Sequence, residues 1–411
     1  MTPSVRPKSA VSSGVGVAGL TGLLVWFAVA RYFGLSGPLS ALVNIAACAL
    51  PMVLWSILVD KVHRNPSTGI DWDRPLPPRS DTFDISLTKI AGIWATWAII
   101  ACIYALCRFY WEGNYVFAMK CFALAAPLLL VATPFYMIWL DRRLTHPKDG
   151  AWAFGTWLMG RGAVDTSAIA DHFRIWAVKG FFLAFMISIM PGGFYDVVSR
   201  PSADIWSGPV PLANYLISFM FVVDVAIATV GYLLTMRPLD AHIRSAMPYT
   251  AGWVAALICY PPFILMGDGG PLNYRLGTLG ESSWSHWLSG GESLLWIWGG
   301  ALVALTAIYA WATVAFGLRF SNLTHRGILT HGPYAWVKHP AYLSKNAFWW
   351  LSTLPFLVTT NSITDAVRNT AILGVVSGVY WWRAKTEEQH LSEDPDYRAY
   401  ADWLSSRWSR P

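Results

Sequence analysis

Charge is scarce in this sequence. Only 13% of its 411 residues are Asp, Glu, Lys or Arg, while 55% are hydrophobic. A chain of that composition has too little polar surface to cover one water-soluble core, which excludes an ordinary soluble domain. Cysteine is scarce as well: Cys48, Cys102, Cys107, Cys121 and Cys259 all fall in apolar runs, with no CxxC spacing among them. That argues against a disulfide framework or a thiolate metal site and for small packing residues. Internal repeats, low-complexity tracts and basic clusters interleaved with aromatics are also missing. The net charge of +6 is therefore not the footprint of a nucleic-acid surface.

What is present is long apolar stretches. About ten are near membrane length, lying at 13–33, 39–59, 88–108, 117–140, 175–195, 212–236, 249–267, 294–316, 341–360 and 365–383. In hydrocarbon such runs must be helices, because each backbone group needs a partner within its own segment. Basic residues crowd into alternate loops: Lys61 to Arg79, Arg142 to Arg161, Arg237 and Arg244, Arg319 to Lys338, and the tail from Arg383. By the positive-inside rule both termini are then cytoplasmic. The expected fold is an all-α polytopic membrane bundle of about ten transmembrane helices, in a plasma or inner membrane. Residues 1–290 form N-terminal helices of unassigned role, and 291–411 form a C-terminal unit with an amphipathic cytoplasmic tail. Arg6, Lys8 and the run ending at Ala28-Val29-Ala30 imitate a signal peptide. The full membrane length of that run, and the second span close behind it, favour an uncleaved helix.

Two polar interruptions stand out. Residues 60–87 carry Pro66, Pro75, Pro77 and Pro78 and read as a loop. Residues 141–174 contain an aromatic stretch, Ala151 to Met159, too short to cross and suited to a helix in the interface; the segment 268–293 with Trp284 and Trp287 resembles it. Gly14-x-Gly16-x-x-Gly19 matches a dinucleotide fingerprint in letters but opens a span instead of following a strand, so close helix packing is the better reading. Asp224 sits mid-span, where a carboxylate is costly unless paired. It is either a functional residue or a hydrogen-bonded packing residue.

The chemistry concentrates at the C-terminal end. Residues 320–342 read FSNLTHRGILTHGPYAWVKHPAY; two spans later comes Arg383-Ala-Lys-Thr-Glu-Glu, then Asp396-Tyr397 and Tyr400. His339 precedes Pro340, so the backbone is extended and then starts a helix. A helix N-terminus with free N–H groups at the cytoplasmic surface suits a carboxylate or phosphate. Glu387 and Glu388 sit at the negative end of the last span, where local electrostatics disfavour them and a ligand cation or hydroxyl set would relieve the cost. Arg383 precedes Glu387 by one turn, the weaker order for an intrahelical pair, which leaves it available for an anion or for simple positive-inside anchoring.

The run Leu-Thr-x-Gly-Pro-Tyr-x-x-x-Lys-His-Pro-x-Tyr, followed by Arg-x-x-Thr-Glu-Glu and Asp-Tyr-x-x-Tyr, resembles the isoprenylcysteine carboxyl methyltransferase signature over about 317–407. That family and its phospholipid-methylating relatives usually have Arg where this chain has Lys338, which keeps the charge but loses the guanidinium fork. The resemblance implies an S-adenosylmethionine-dependent methyltransferase acting on a lipophilic acceptor, an isoprenylcysteine-type carboxylate or a lipid head group. It also implies a cofactor site lined by Gly332, Tyr334, His339, Pro340, Tyr342, Glu387 and Glu388. Arg383 would orient a carboxylate acceptor, and Glu387 would serve as base for an amine.

His325, His331 and His339 match no usual metal-ligand spacing. Tyr397, Tyr400, Trp403 and Leu404 recur at helical spacing, giving an amphipathic surface helix that packs or caps the site. Two rival readings remain: a sterol-reductase-like protein using NADPH, against which stands the lack of a basic cluster for a ribose phosphate, and a non-catalytic scaffold or transporter.

Overall fold

The computed structural model describes residues 5–276, 284–353 and 362–408. It is a helical membrane bundle in which, among the described residues, seven helices are long and apolar enough to cross a bilayer: Ser13–Phe33, Pro38–Val59, Arg79–Leu106, Tyr115–Asp141, Thr166–Ser199, Pro209–Leu233 and Glu292–Arg319. The α-helical parts of these are α1 (Ser13–Phe33), α2 (Pro38–Leu54), α3 (Arg79–Leu106), α4 (Tyr115–Asp141), α6 (Thr166–Ser199), α8 (Pro209–Leu233) and α11 (Glu292–Phe316). Shorter helices fill the gaps: α5 (Gly150–Leu158), α7 (Ser202–Ile205), α9 (Thr250–Leu257) and α10 (Trp284–Trp287). The chain continues into α12 (Pro340–Thr353), α13 (Ile363–Leu391) and α14 (Pro395–Trp408).

The difference from the expected ten has particular causes. Over 249–267 the helix α9 stops after Leu257, and the chain continues in turns through Pro261-Pro262; consecutive prolines lack the N–H groups that a continuing helix needs. The traverse is kept even so. Tyr249 bonds Glu393 beyond the C-terminal end of α13, while the carbonyls of Asn273 and Leu276 accept from Arg368 and Asn369 near its N-terminal end. The segment thus runs the length of α13 as a short helix plus irregular backbone, which is tolerated at such depth only when packed in protein or facing a cavity. The run expected over 341–360 is described to Thr353, since 354–361 lie outside the described residues. The run expected over 365–383 is part of the longer α13, whose last two turns are polar.

Small residues set the packing of the early helices. Gly14, Gly16 and Gly19 lie inside α1 with no strand before them. A Cβ on Gly16 would stand 2.2 Å from the Val314 carbonyl of α11, and one on Gly22 would stand 2.0 Å from the Ala47 carbonyl of α2. The glycines therefore serve close helix approach. Similarly, α5 lies on α3 through Gly155 and Gly92. Asp149 caps α5 by accepting from the Ala151 and Trp152 N–H groups.

One short antiparallel pairing joins the loop after α8 to the loop after α11: Ser245 opposite His325 and Ala246 opposite Thr324. Buried Arg326 locks this junction, its guanidinium donating to the carbonyls of Gly231, Leu234, Ala241, Leu318 and Phe320 at 2.8–3.1 Å. These include carbonyls that the ends of two helices leave open, and a cation is favoured at such ends. Arg326, read from sequence as a loop charge, is a structural knot. Nearby, Arg319 pairs with buried Asp240 at 2.7 Å.

Candidate active site

The Gly332–Ala335 turn brings the chain to His339, whose carbonyl accepts from the Leu343 N–H, so that α12 starts at Pro340 as the His-Pro order predicts. Opposite this N-terminus stand the last turns of α13. His339 Nε2 lies 3.1 Å from Glu388 Oε1, and the Tyr342 hydroxyl donates to Glu387. Lys385 Nζ and Lys338 Nζ lie 3.1 and 3.9 Å from the other Glu388 oxygen. The acids that their own helix dipole disfavours are thus opposed by the positive end of a neighbouring helix. The hydrogen bond from His339, with smaller help from Lys385 and Lys338, holds the Glu388 carboxyl well below the usual range, at about 2 despite its partial burial. Glu388 is an anion at neutral pH.

Arg383 is buried. Its Nη2 donates to Asn322 Oδ1 at 2.6 Å, its guanidinium carbon lies 5.2 and 5.5 Å from the ring centres of Tyr342 and Tyr260, and its Nε is 3.6 Å from Glu387. The sequence left it available for an anion; in the structure it is already shared between Asn322, three rings (Tyr380 being the third, at 5.9 Å) and Glu387, while Nε makes no hydrogen bond among the described residues.

Most of these groups line one open cavity together with residues of α11, α12, α13, the 320–329 loop and α14. Tyr334, His339, Tyr342, Arg383 and Glu387, all named from sequence, are in its wall. Three others are not. Glu388 stands behind His339 and orients it. Gly332, at φ 59°, packs where a Cβ would meet Trp311 at 3.2 Å, and Pro340 is buried in the start of α12. The three histidines go to separate partners: His325 to Asp394 at 3.1 Å, His331 to Ser9 at 2.8 Å and His339 to Glu388. Helix α14 buries Tyr397, Tyr400, Trp403 and Leu404 against Ile328, and the first two also border the cavity.

Several lining residues escaped the sequence reading: Tyr260, Tyr309, Asn322, Lys345 and Tyr380. Only Lys345 carried a signal, as a cation at the fifth position of an expected span. Tyr260 reaches the site because the 249–276 traverse is broken, which no local pattern announces.

Residues 297–393 match the isoprenylcysteine carboxyl methyltransferase (ICMT) family. Neither a curated protein nor a solved structure matches the chain. The ICMT match supports a transferase of the membrane methyltransferase kind for the C-terminal part, and it spans from α11 to just past the end of α13. His339, Tyr342, Arg383, Glu387 and Glu388 lie within the ICMT segment, whereas Asp224, Tyr260, Tyr397 and Tyr400 lie outside it.

Proposed function

We propose that this chain is an integral membrane methyltransferase that uses S-adenosylmethionine to methylate a lipophilic acceptor, an isoprenylcysteine-type carboxylate or a lipid head group, at the cytoplasmic face. The observation that carries the reading is the junction of the His339-Pro340 turn with the Glu387-Glu388 pair, 49 residues apart in sequence and 3.1 Å apart at His339 and Glu388, beside an open cavity. The cytoplasmic placement rests on the basic residues gathered at that end of the bundle.

The donor set fits the cofactor. Glu387 is available to an ammonium or to ribose hydroxyls; Glu388 holds His339 in orientation; Tyr342, Tyr334 and the helix N-terminus at Pro340 offer a flat face and free N–H groups for the rest. S-adenosylmethionine supplies an electrophilic methyl on a sulfonium sulfur. Transfer forms one bond from the acceptor lone pair to the methyl carbon and breaks the carbon–sulfur bond, so placement and charge complementarity carry the rate. For a carboxylate acceptor the products are a neutral ester and a thioether, with no proton to remove. For an amine, Glu387 takes the proton. Arg383 spreads positive charge toward the acceptor side while Asn322 fixes its fork.

Calorimetric titration of the purified protein in detergent with S-adenosylmethionine and with NADPH tests the reading. Binding of the sulfonium compound alone is expected. Preference for NADPH would move the chain to the reductases, and binding of neither would leave a scaffold.

A further inference from the structure

Further along the same cavity, and backed by Asp224 behind its wall, lies a second polar layer that the His-Pro and Glu-Glu motifs do not include. Asp224 of α8 accepts from the Tyr309 hydroxyl at 2.9 Å and from the Thr313 hydroxyl at 2.5 Å, one on each carboxylate oxygen. Lys345 stands six residues beyond His339 on α12, roughly 9 Å further along the helix. Its ammonium lies 5.5, 5.3 and 5.6 Å from the ring centres of Tyr309, Trp349 and Tyr380. Lys345, Tyr309 and Tyr380 all line the cavity that His339 and Glu387 border.

Lys345 makes no hydrogen bond or ion pair with any described residue; the Asp224 carboxylate attracts it through space but accepts its hydrogen bonds from the two hydroxyls. Three aromatic faces offset part of the cost of holding an ammonium at this depth, but its N–H donors stay unused. A group with negatively charged oxygens would complete it. Such a group has two sources, the amino-acid end of the methyl donor or the head group of the acceptor. Depth separates them. The acidic pair that suits the donor's ammonium or hydroxyls is at the loop end, whereas Lys345 lies inward, among helices that face lipid.

Resting on the methyltransferase reading above, we propose that Lys345 is the specificity residue for the acceptor: it binds the oxyanionic head group of a lipophile and thereby selects anionic acceptors over amines. Asp224 supports it from outside the matched segment by fixing Tyr309, one wall of the aromatic box.

The test compares wild type with Lys345→Met, Lys345→Gln and Lys345→Arg in detergent. Three ligands are titrated: a fluorescent long-chain carboxylate, the amine of the same chain length, and S-adenosylmethionine. Loss of carboxylate affinity by about tenfold or more is expected for the Met and Gln variants. The Arg variant should stay close to wild type, and amine and S-adenosylmethionine affinities should not change. Equal carboxylate affinity in wild type and the neutral variants would overturn the inference, as would a loss confined to S-adenosylmethionine, which would give Lys345 to the donor. The carboxylate titration needs no methyl donor. A wild type that binds the carboxylate through Lys345 but no S-adenosylmethionine would therefore refute the methyltransferase reading alone.

Discussion

Two ionic clusters bridge helices in this protein, and they differ in what they leave unsatisfied. In the N-terminal half, Lys89 of α3 meets Asp141 of α4 at 2.7 Å and Asp149, the cap of α5, at 2.9 Å; Ser86 donates to the other Asp141 oxygen. Lys89 and Asp141 are buried, and every charged atom has a partner. In the C-terminal half, His339, Glu387, Glu388 and Arg383 are also linked, yet His339, Glu387 and Arg383 border a cavity and Arg383 Nε has no hydrogen bond among the described residues. The first cluster is closed and ties three helices together. The second opens on a cavity, and on the proposed function a ligand would take up what it leaves unsatisfied, which would be the physical difference between a structural and a functional use of the same residue types.

The contrast can be broken by substitution. Lys89→Met leaves Asp141 buried without its cation and should cost about 3–5 kcal/mol of stability, read by thermal unfolding in detergent, with ligand affinity preserved in the fraction that folds. Glu388→Gln, and His339→Ala beside it, should weigh the other way: S-adenosylmethionine affinity falling by about tenfold to a hundredfold, with a smaller loss of stability from the broken His339–Glu388 hydrogen bond than Lys89→Met causes. Unchanged affinity in both variants would remove the site assignment.

A smaller effect separates the two acid–base elements of the C-terminal half by pH. Burial pushes the His325 imidazole down to about 4, with Asp394 raising it only in part and Arg244 and His390 adding to the depression. The unfolded chain takes up that proton first, so the stability due to neutral His325 is present above its ordinary value of 6.5 and is lost as pH falls toward 4. The Glu388 contribution is lost lower, as pH falls from 4.5 toward 2. His325→Gln should flatten the upper window only, as measured by unfolding temperature against pH. The smallest change is expected for Lys338→Arg. At 3.9 Å from Glu388 and one-third exposed, this pair contributes at most about 1 kcal/mol, and cofactor affinity should shift by only a few fold.

Much of this was legible from the residues. Apolar runs gave the class of fold and most of its helices, because hydrocarbon admits few other structures. The His339-Pro340 junction and the Glu387-Glu388 pair were readable because a proline turn and adjacent acids at a helix end have local physical consequences. The glycines of α1 could be assigned to packing because no strand precedes them. Less visible were the broken traverse over 249–276 that delivers Tyr260, the conversion of Arg326 from a loop charge to a buried knot, and the partners of Arg383.

By itself, then, the sequence determined that the protein lives in a bilayer, roughly where most of its long helices lie, and which residues carry polarity at a cost that demands compensation. Tertiary structure alone decided how that compensation is shared: Glu388 is met by His339 from another helix, Asp224 by two hydroxyls of α11, and Lys345 by three rings with its donors left over. Periodicity and propensity act over a few residues, whereas the pairing of a buried charge depends on which distant helix lies against it.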